Sequence, residues 1–484
     1  MREGARSSRV TRARKLAYEA LYRIDRRNAF AQDVISKVID PSGMSPSDCA
    51  FATRLVLGVV SCEGSLDEIL NRCMRSPDDA KRDVRIALRI SAYEAIYLGK
   101  DSHAAVDQGV ELVRWIAPKA SGLANAVLRK VVREKTEFPF GDPATDVSAL
   151  AMLEGFPVWL TKMLVGEMGH EGAMAFESAC NLPAPIYLFE LPASMRENAQ
   201  GSNRASKVAP PGGTEQVRDV RGIPLHGCLK LNDRRDAASS SVLDAISEGA
   251  ALVSDASAQA VAALCALAAT RDVGACEGVS VPLERIPTRR KGDDASVLEL
   301  CAGRGTKTIM IQSGICALMG NQASRYVTVD NVKYKCELLS KRAEDYGIHV
   351  SEAICAELGE DAPVIPDEAF DLVFIDAPCS GLGTLRRHPE IRWRASMQTI
   401  FDDAARDASL LRQASLSVRP CGFLVYATCT ITPEENERAI GSFLSSDAGL
   451  GFKLVPAFGE DAFKPKLEEG GPDAHFCAVM QRVL

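Results

Sequence analysis

Residues 297–308 read VLELCAGRGTKT, an apolar run that passes directly into two glycines and then into a helical pattern. That succession is what a buried parallel strand feeding a crossover helix looks like in sequence. Working outward, the runs Tyr326–Val329, Leu372–Ile375 and Phe423–Tyr426 read as further strands beside Val297–Cys301. Between the second and third, Val332, Cys336, Leu339, Ala343 and Tyr346 recur at helical spacing and share one face. The alternation predicts a Rossmann-like α/β domain over residues 246–484.

The first part of the chain has a different texture. Leu16, Ala20 and Ile24, then Val84, Ala87, Leu88, Ser91 and Ala95, then Val106, Val110 and Val113 keep helical spacing, with Pro46, Pro77 and Pro118 as punctuation. A multidomain chain follows: an all-α domain over 1–140, a linking subdomain over 141–245, and the α/β domain. Residues 203–214 and 271–295 are polar and rich in Pro, Gly or charge, as surface insertions are.

The 484 residues are 46% hydrophobic and 25% charged, a globular composition that excludes a fibrous or wholly disordered chain. Neither a membrane-spanning run nor an apolar signal core is evident, so a cytoplasmic protein is expected, a monomer being the default. Fifteen scattered cysteines contain no C-x-x-C pair, which argues against zinc ribbons and disulfide frameworks, and no metal site is expected. Net charge is −7, yet residues 1–140 carry 24 basic against 18 acidic side chains. The local excess, with Arg2, Arg6, Arg9, Arg12, Arg14 and Lys15 at its head, suits either a nucleic-acid surface or a solvated tail.

Three strand ends concentrate the chemistry. After the first, the loop Cys301-Ala302-Gly303-Arg304-Gly305-Thr306-Lys307 allows close backbone approach to a ligand at a helix N-terminus. A phosphate-binding P-loop is disfavoured, because Thr306 precedes Lys307 and that motif's earlier glycine is missing. Asp330, ending the second strand, could take ribose hydroxyls or cap the next helix. The third strand ends in Asp376-Ala377-Pro378-Cys379, with Arg386, Arg387 and His388 downstream, and the fourth in Thr428-Cys429. Two cysteines at adjacent strand ends should lie close in space.

The strings LCAGRGTKT, DAPCSGLGTLRRHPEIRW and YATCTITPEENE resemble motifs of the RNA 5-methylcytosine methyltransferases of the Sun (Nol1/Nop2/Sun) family. RKLAYEALYRID, SAYEAIYL and HAAVDQGVELVRWIAPKASGLANAVLRKV look like a NusB-type helical domain, a combination that characterises the bacterial branch acting on small-subunit (16S) ribosomal RNA. The resemblance implies a class I methyltransferase domain, S-adenosylmethionine as cofactor over Cys301 to Lys307 with Asp330 on its ribose, and ribosomal RNA as partner. It makes Cys429 the nucleophile and gives Cys379 a part in resolving the covalent intermediate. The chemistry agrees: carbon 5 of cytosine becomes nucleophilic only after addition at carbon 6, for which a thiolate is suited. Asp376 would then hydrogen-bond the base, and Lys307 would meet the cofactor or that carboxylate.

Several positions depart from the family pattern. Arg304 and Thr306 replace a proline and a glycine, Glu299 an aspartate, Phe189 an RNA-facing arginine, and Ala356 stands near a third acidic position. A DNA cytosine enzyme would carry P-C-Q where Ser380 follows Cys379, and an amino-group methyltransferase an aromatic after paired prolines. A non-catalytic ribosome-assembly factor, or action on another RNA such as tRNA, are the remaining alternatives.

Overall fold

The computed structural model describes residues 10–39, 43–196, 208–272, 281–357 and 365–483. They form two compact units, one of Met1–Pro183 with Leu385–Ala395 and the other of Ala184–Thr384 with Ser396–Leu484.

The first unit is helical throughout its described residues, with principal helices from Arg12–Arg27 to Val158–Asn181. Its three punctuating prolines each open a helical turn: Pro46 a long helix capped by Ser45, Pro77 and Pro118 short 3-10 turns. A first-turn proline lacks only an N–H that would have no intrahelical partner. The apolar stripes read from the sequence form the core, where Leu55, Leu66, Leu88 and Leu112 are 0% exposed. Of the expected basic head, Arg2, Arg6 and Arg9 lie outside the described residues. Arg14 is tied to the buried Glu94 rather than presented to solvent.

The helical unit does not stop at residue 140. Helices Val147–Glu154 and Val158–Asn181 stay with it, because Tyr97 Oη donates to Met152 O at 2.7 Å and Asn181 Nδ2 to Glu154 O at 2.8 Å. Leu385–Ala395 joins it as well. There Trp393 Nε1 donates to Val60 O at 2.8 Å, and its ring fills the space beside Gly64, whose Cβ would come within 2.3 Å of it. Arg392 is wholly buried over the Phe156 ring and donates to Gly155 O at 3.2 Å. Arg386, the first of the three basic residues after the Cys379 turn, is also buried, whereas Arg387 and His388 are half-buried.

The second unit begins at 184, so the expected linking subdomain is divided between the two. It carries strands β1 (Tyr187–Glu190), β2 (Thr214–Gln216), β3 (Asp219–Val220), β4 (Ile223–Pro224), β5 (Cys228–Leu231) and β6 (Ala251–Val253). Of these, β2-β5-β1-β6 make an antiparallel sheet, in which Phe189 is a buried core residue. There follow β7 (Ser296–Leu300), β8 (Arg325–Asp330), β9 (Glu352–Cys355), β10 (Phe370–Asp376), β11 (Val418–Thr428), β12 (Phe452–Leu454) and β13 (Phe476–Arg482). Their order is β12-β13-β11-β10-β7-β8-β9, with β7 to β11 parallel and β13 antiparallel to β11.

Successive residues of a strand face opposite sides, and both sides of this sheet are apolar. Val297, Leu372, Phe374 and Val425 pack with helices Ala256–Ala269 and Thr306–Met319, while Leu298, Val373, Ile375 and Leu424 pack with helix Met397–Ser417. The strand order reverses between β7 and β10, each bonded to the other but leading away in opposite directions, and ligands of open α/β sheets bind outside such a point.

Trp393→Ala should remove both the indole hydrogen bond and the packing on Gly64, costing about 3 kcal/mol. Urea unfolding followed by far-ultraviolet dichroism would show an earlier transition; an unchanged midpoint would mean that the 385–395 segment contributes nothing to the helical unit.

Candidate active site

The carboxyl ends of the parallel strands are brought level by their register: Leu300 lies opposite Val329 and Ile375, and Asp376 opposite Ala427. Every loop that leaves this edge therefore starts from one line.

After β7 the chain turns through Cys301, Gly303 and Gly305, all with positive φ (58°, 60° and 76°). At Gly305 a Cβ would also lie 2.8 Å from Leu339, so glycine is required there on two counts. Gly303 N donates to Asp330 Oδ2 at 2.9 Å, and Val332 N to Asp330 Oδ1 at 2.9 Å. Asp330 thus braces the glycine loop and the turn that leads to helix Lys333–Tyr346, whose N-cap is Val332 and not Asp330. Val332 is left outside that helix and 38% exposed, while Cys336, Leu339, Ala343 and Tyr346 line the buried face as expected. The loop leads to the N-terminus of helix Thr306–Met319, whose first backbone bond is Ile309 N to Gly305 O, so the amides before it are free of intrahelical partners.

The family departures are accommodated locally. Arg304 is exposed and Thr306 half-buried, and Arg342, a residue that sequence reasoning missed, donates to Arg304 O at 2.8 Å and Thr306 Oγ1 at 3.0 Å. Glu299 is fully buried, receives Thr308 Oγ1 at 2.7 Å and Tyr326 Oη at 2.8 Å, and is pushed up to about 7 by burial. Ala356 is linked to the loop only through its amide, which donates to Asp330 O at 3.1 Å. The amides, the paired glycines and the Asp330 carboxylate fit the nucleoside portion of a cofactor.

Lys307 turns away from this loop toward Asp376, donating to Oδ1 at 2.8 Å and Oδ2 at 2.7 Å. Burial opposes the ammonium charge, but the attraction of Asp376 outweighs it and holds the Lys307 pKa above its ordinary value. Of the two partners expected for this lysine, the contact observed is the carboxylate.

Beyond Asp376 the chain reaches Cys379, and beyond β11 it reaches Cys429. Their Sγ atoms are 3.5 Å apart, and Cys429 N donates to Cys379 Sγ at 3.4 Å. Two further contacts fix the turns: Ala377 N donates to Ala427 O at 2.8 Å and Gly383 N to Cys429 O at 2.9 Å. A Cβ at Gly383 would lie 2.2 Å from Ala474 O and 2.8 Å from Cys429 O, so only glycine allows this approach.

The thiol pair is polarised. Cys429 is held below the usual thiol range, first by the hydrogen bond from Cys379 and then by the Lys307 charge, against burial and Asp376. Cys379 is held well above that range, because it keeps its proton toward Cys429 and is buried. One sulfur is thereby an incipient nucleophile and the other its hydrogen-bond donor.

His475 was not signalled by any expected role. It is 8% exposed with Nδ1 unpartnered, one step beyond the Thr428–Phe476 pair, and burial followed by Lys307 lowers its pKa, so it is neutral at pH 7.

Comparison with known proteins agrees with this architecture. Residues 289–472 match the family described as 16S rRNA methyltransferase RsmB/F, and residues 11–133 match the NusB family. The chain is 28% identical over 441 residues to the probable ribosomal RNA small subunit methyltransferase B of Bacillus subtilis (strain 168), covering 90% of this chain and 88% of that protein. It is 27% identical over 457 residues to the ribosomal RNA small subunit methyltransferase B of Escherichia coli O6:K15:H31, covering 92% and 94%. The crystal structure of PH0851 shares the fold, with a TM-score of 0.71, 21% identity, and coverage of 97% of this chain and 98% of that one.

Because Cys379 supplies the leading stabilisation of the Cys429 thiolate, Cys379→Ala should move alkylation of Cys429 by iodoacetamide to higher pH. Mass spectrometry across a pH series reads the midpoint; one that stays in place would show that the thiolate does not draw on its neighbour.

Proposed function

From a chain that joins a NusB-family domain, over residues 11–133, to an RsmB/F-family methyltransferase domain, over residues 289–472, we propose an enzyme that methylates carbon 5 of a cytidine in small-subunit ribosomal RNA, using S-adenosylmethionine and a covalent adduct on Cys429. The observation that carries this reading is the polarised pair of sulfurs, 3.5 Å apart, at the edge where Lys307 meets Asp376.

Cys301 to Lys307 and Asp330 would hold the cofactor, the amides of the helix start and the Asp330 carboxylate serving its polar groups. When bound, S-adenosylmethionine supplies an electrophilic methyl group on a sulfonium. The protein's part is to make the pyrimidine reactive. Cys429 sulfur adds to carbon 6, breaking the 5,6 double bond and moving electron density onto carbon 5. Asp376, anchored by two bonds from Lys307, accepts from the cytosine amino group, while the adjacent ammonium offsets the negative charge that addition drives into the ring. After methylation the carbon 5 proton passes to water, the electrons of that bond re-form the 5,6 double bond, and the carbon–sulfur bond breaks to return the Cys429 thiolate. The Cys379 thiol, beside the departing sulfur, assists that release.

These roles predict unequal effects of two similar changes. Cys429→Ala should abolish methyl transfer, whereas Cys379→Ala should retain addition and accumulate protein covalently bound to RNA. A denaturing gel with labelled RNA separates the outcomes, and full turnover by the Cys429 variant would overturn the assignment. Bisulfite sequencing of ribosomal RNA from cells with and without the gene should show one cytidine losing its protection.

Asp330→Ala should weaken S-adenosylmethionine binding by about tenfold or more, since a charged acceptor and the brace on Gly303 are lost together. Titration calorimetry of the free protein reads this directly; equal affinity would remove Asp330 from the cofactor site.

A further inference from the structure

Glu435 lies in the PEENE stretch after Cys429 and is 0% exposed. A carboxylate is kept charged in such a setting only when donors surround it. Here Ser380 N donates to Oε1 and Ser380 Oγ to Oε2, each at 2.6 Å, and Thr432 Oγ1 donates to Oε2 as well. Thr430 Oγ1 lies 2.6 Å from Ser380 Oγ and 3.4 Å from Glu435 Oε2. With the Ser380 proton given to Glu435, the Thr430 hydroxyl donates to Ser380 Oγ, and every proton is accounted for.

The identities of these donors matter. Ser380 follows Cys379 directly, and Thr430 follows Cys429 directly. One carboxylate therefore gathers the two turns that bear the sulfurs, which β10 and β11 deliver from positions 50 residues apart in sequence. The carboxylate itself stands on a fixed mount. Asn436 Nδ2 donates to Thr430 O at 3.2 Å, Thr428 Oγ1 donates to Asn436 Oδ1 at 2.6 Å, and Tyr426 Oη lies 2.6 Å from Glu435 O.

We propose that Glu435 is a positioning residue of the methyl-transfer cycle: its carboxylate holds the Cys379 turn against the Cys429 turn, and so sets the sulfur–sulfur spacing on which release of the methylated RNA depends. The inference rests on the two-cysteine reading above. In the addition step the new bond is made by Cys429, with Cys379 only stabilising its thiolate, but release needs both sulfurs in register. Loss of the clamp should then fall on the second half of the cycle.

The test uses the full chain as Glu435→Gln and Ser380→Ala, the latter removing one hydroxyl and thus a milder change should the former fold poorly, with Cys379→Ala as reference. Two readouts are taken: diamide-driven cross-linking of Cys379 to Cys429 in the free protein, quantified by mass spectrometry, and covalent RNA on a denaturing gel alongside steady-state kinetics. Glu435→Gln should cross-link about tenfold more slowly, lose about 10- to 100-fold in kcat with KM for RNA nearly unchanged, and accumulate adduct. Ser380→Ala should move the same way by a smaller factor. Wild-type cross-linking and release in either folded variant would overturn the proposal. If Cys379→Ala traps no RNA under these conditions, the two-cysteine reading fails, and the cross-linking rates still judge Glu435 by themselves.

Discussion

The pairing of β10 with β11, in a register that sets Asp376 opposite Ala427, is the constraint from which the rest of the site follows. Parallel neighbours finish at the same edge, so the turns that leave them begin within bonding distance of one another. Backbone contacts extend the alignment past the strands themselves, from Ala377 to Ala427 and from Gly383 to Cys429. The sulfurs meet because the main chain has already been stitched, and Lys307 arrives from the next strand over to neutralise Asp376 beside them. Polarisation of the two thiols is thus a product of topology as much as of local charge.

The strands that bear the chemistry could be read from sequence because they are buried on both faces and so appear as continuous apolar runs. β9 and β12 could not: β9 is an edge strand, largely exposed, and β12 is three residues long, so neither leaves a hydrophobic trace. Cys379, Cys429, Asp376 and the glycine loop were legible because their residue types are unusual at a strand end. Arg342 and Glu435 were not, since their partners lie 38 and 55 residues away and a charged side chain in a helix or loop is ordinary until its neighbours are known. Arg386 is the opposite case: a basic side chain just after the Cys379 turn would be placed on the surface from its type, yet it is buried. The packing of residues 147–181 against the earlier helices was not legible either, because the bonds that hold them, such as Tyr97 to Met152, join residues far apart in sequence.

Buried ionisable side chains recur as a device in both units. Glu94, Glu299, Arg392 and Glu435 are all at most 3% exposed, and each is met by hydrogen-bonding groups on separate stretches of chain. Such groups are expensive to bury and strongly directional, so they specify which segments meet far more sharply than an apolar contact could.

The membership of Leu385–Ala395 in the helical unit has an evolutionary reading. Modules that are exchanged among genes as cassettes must be severable at a single point, and these two are not: a cut after residue 183 would strand Trp393 and Arg392 without the carbonyls that receive them. The interleaving makes the helical portion depend on the rest of the chain, so a substitution at Val60, Gly64 or Gly155 is felt by eleven residues encoded more than two hundred codons downstream.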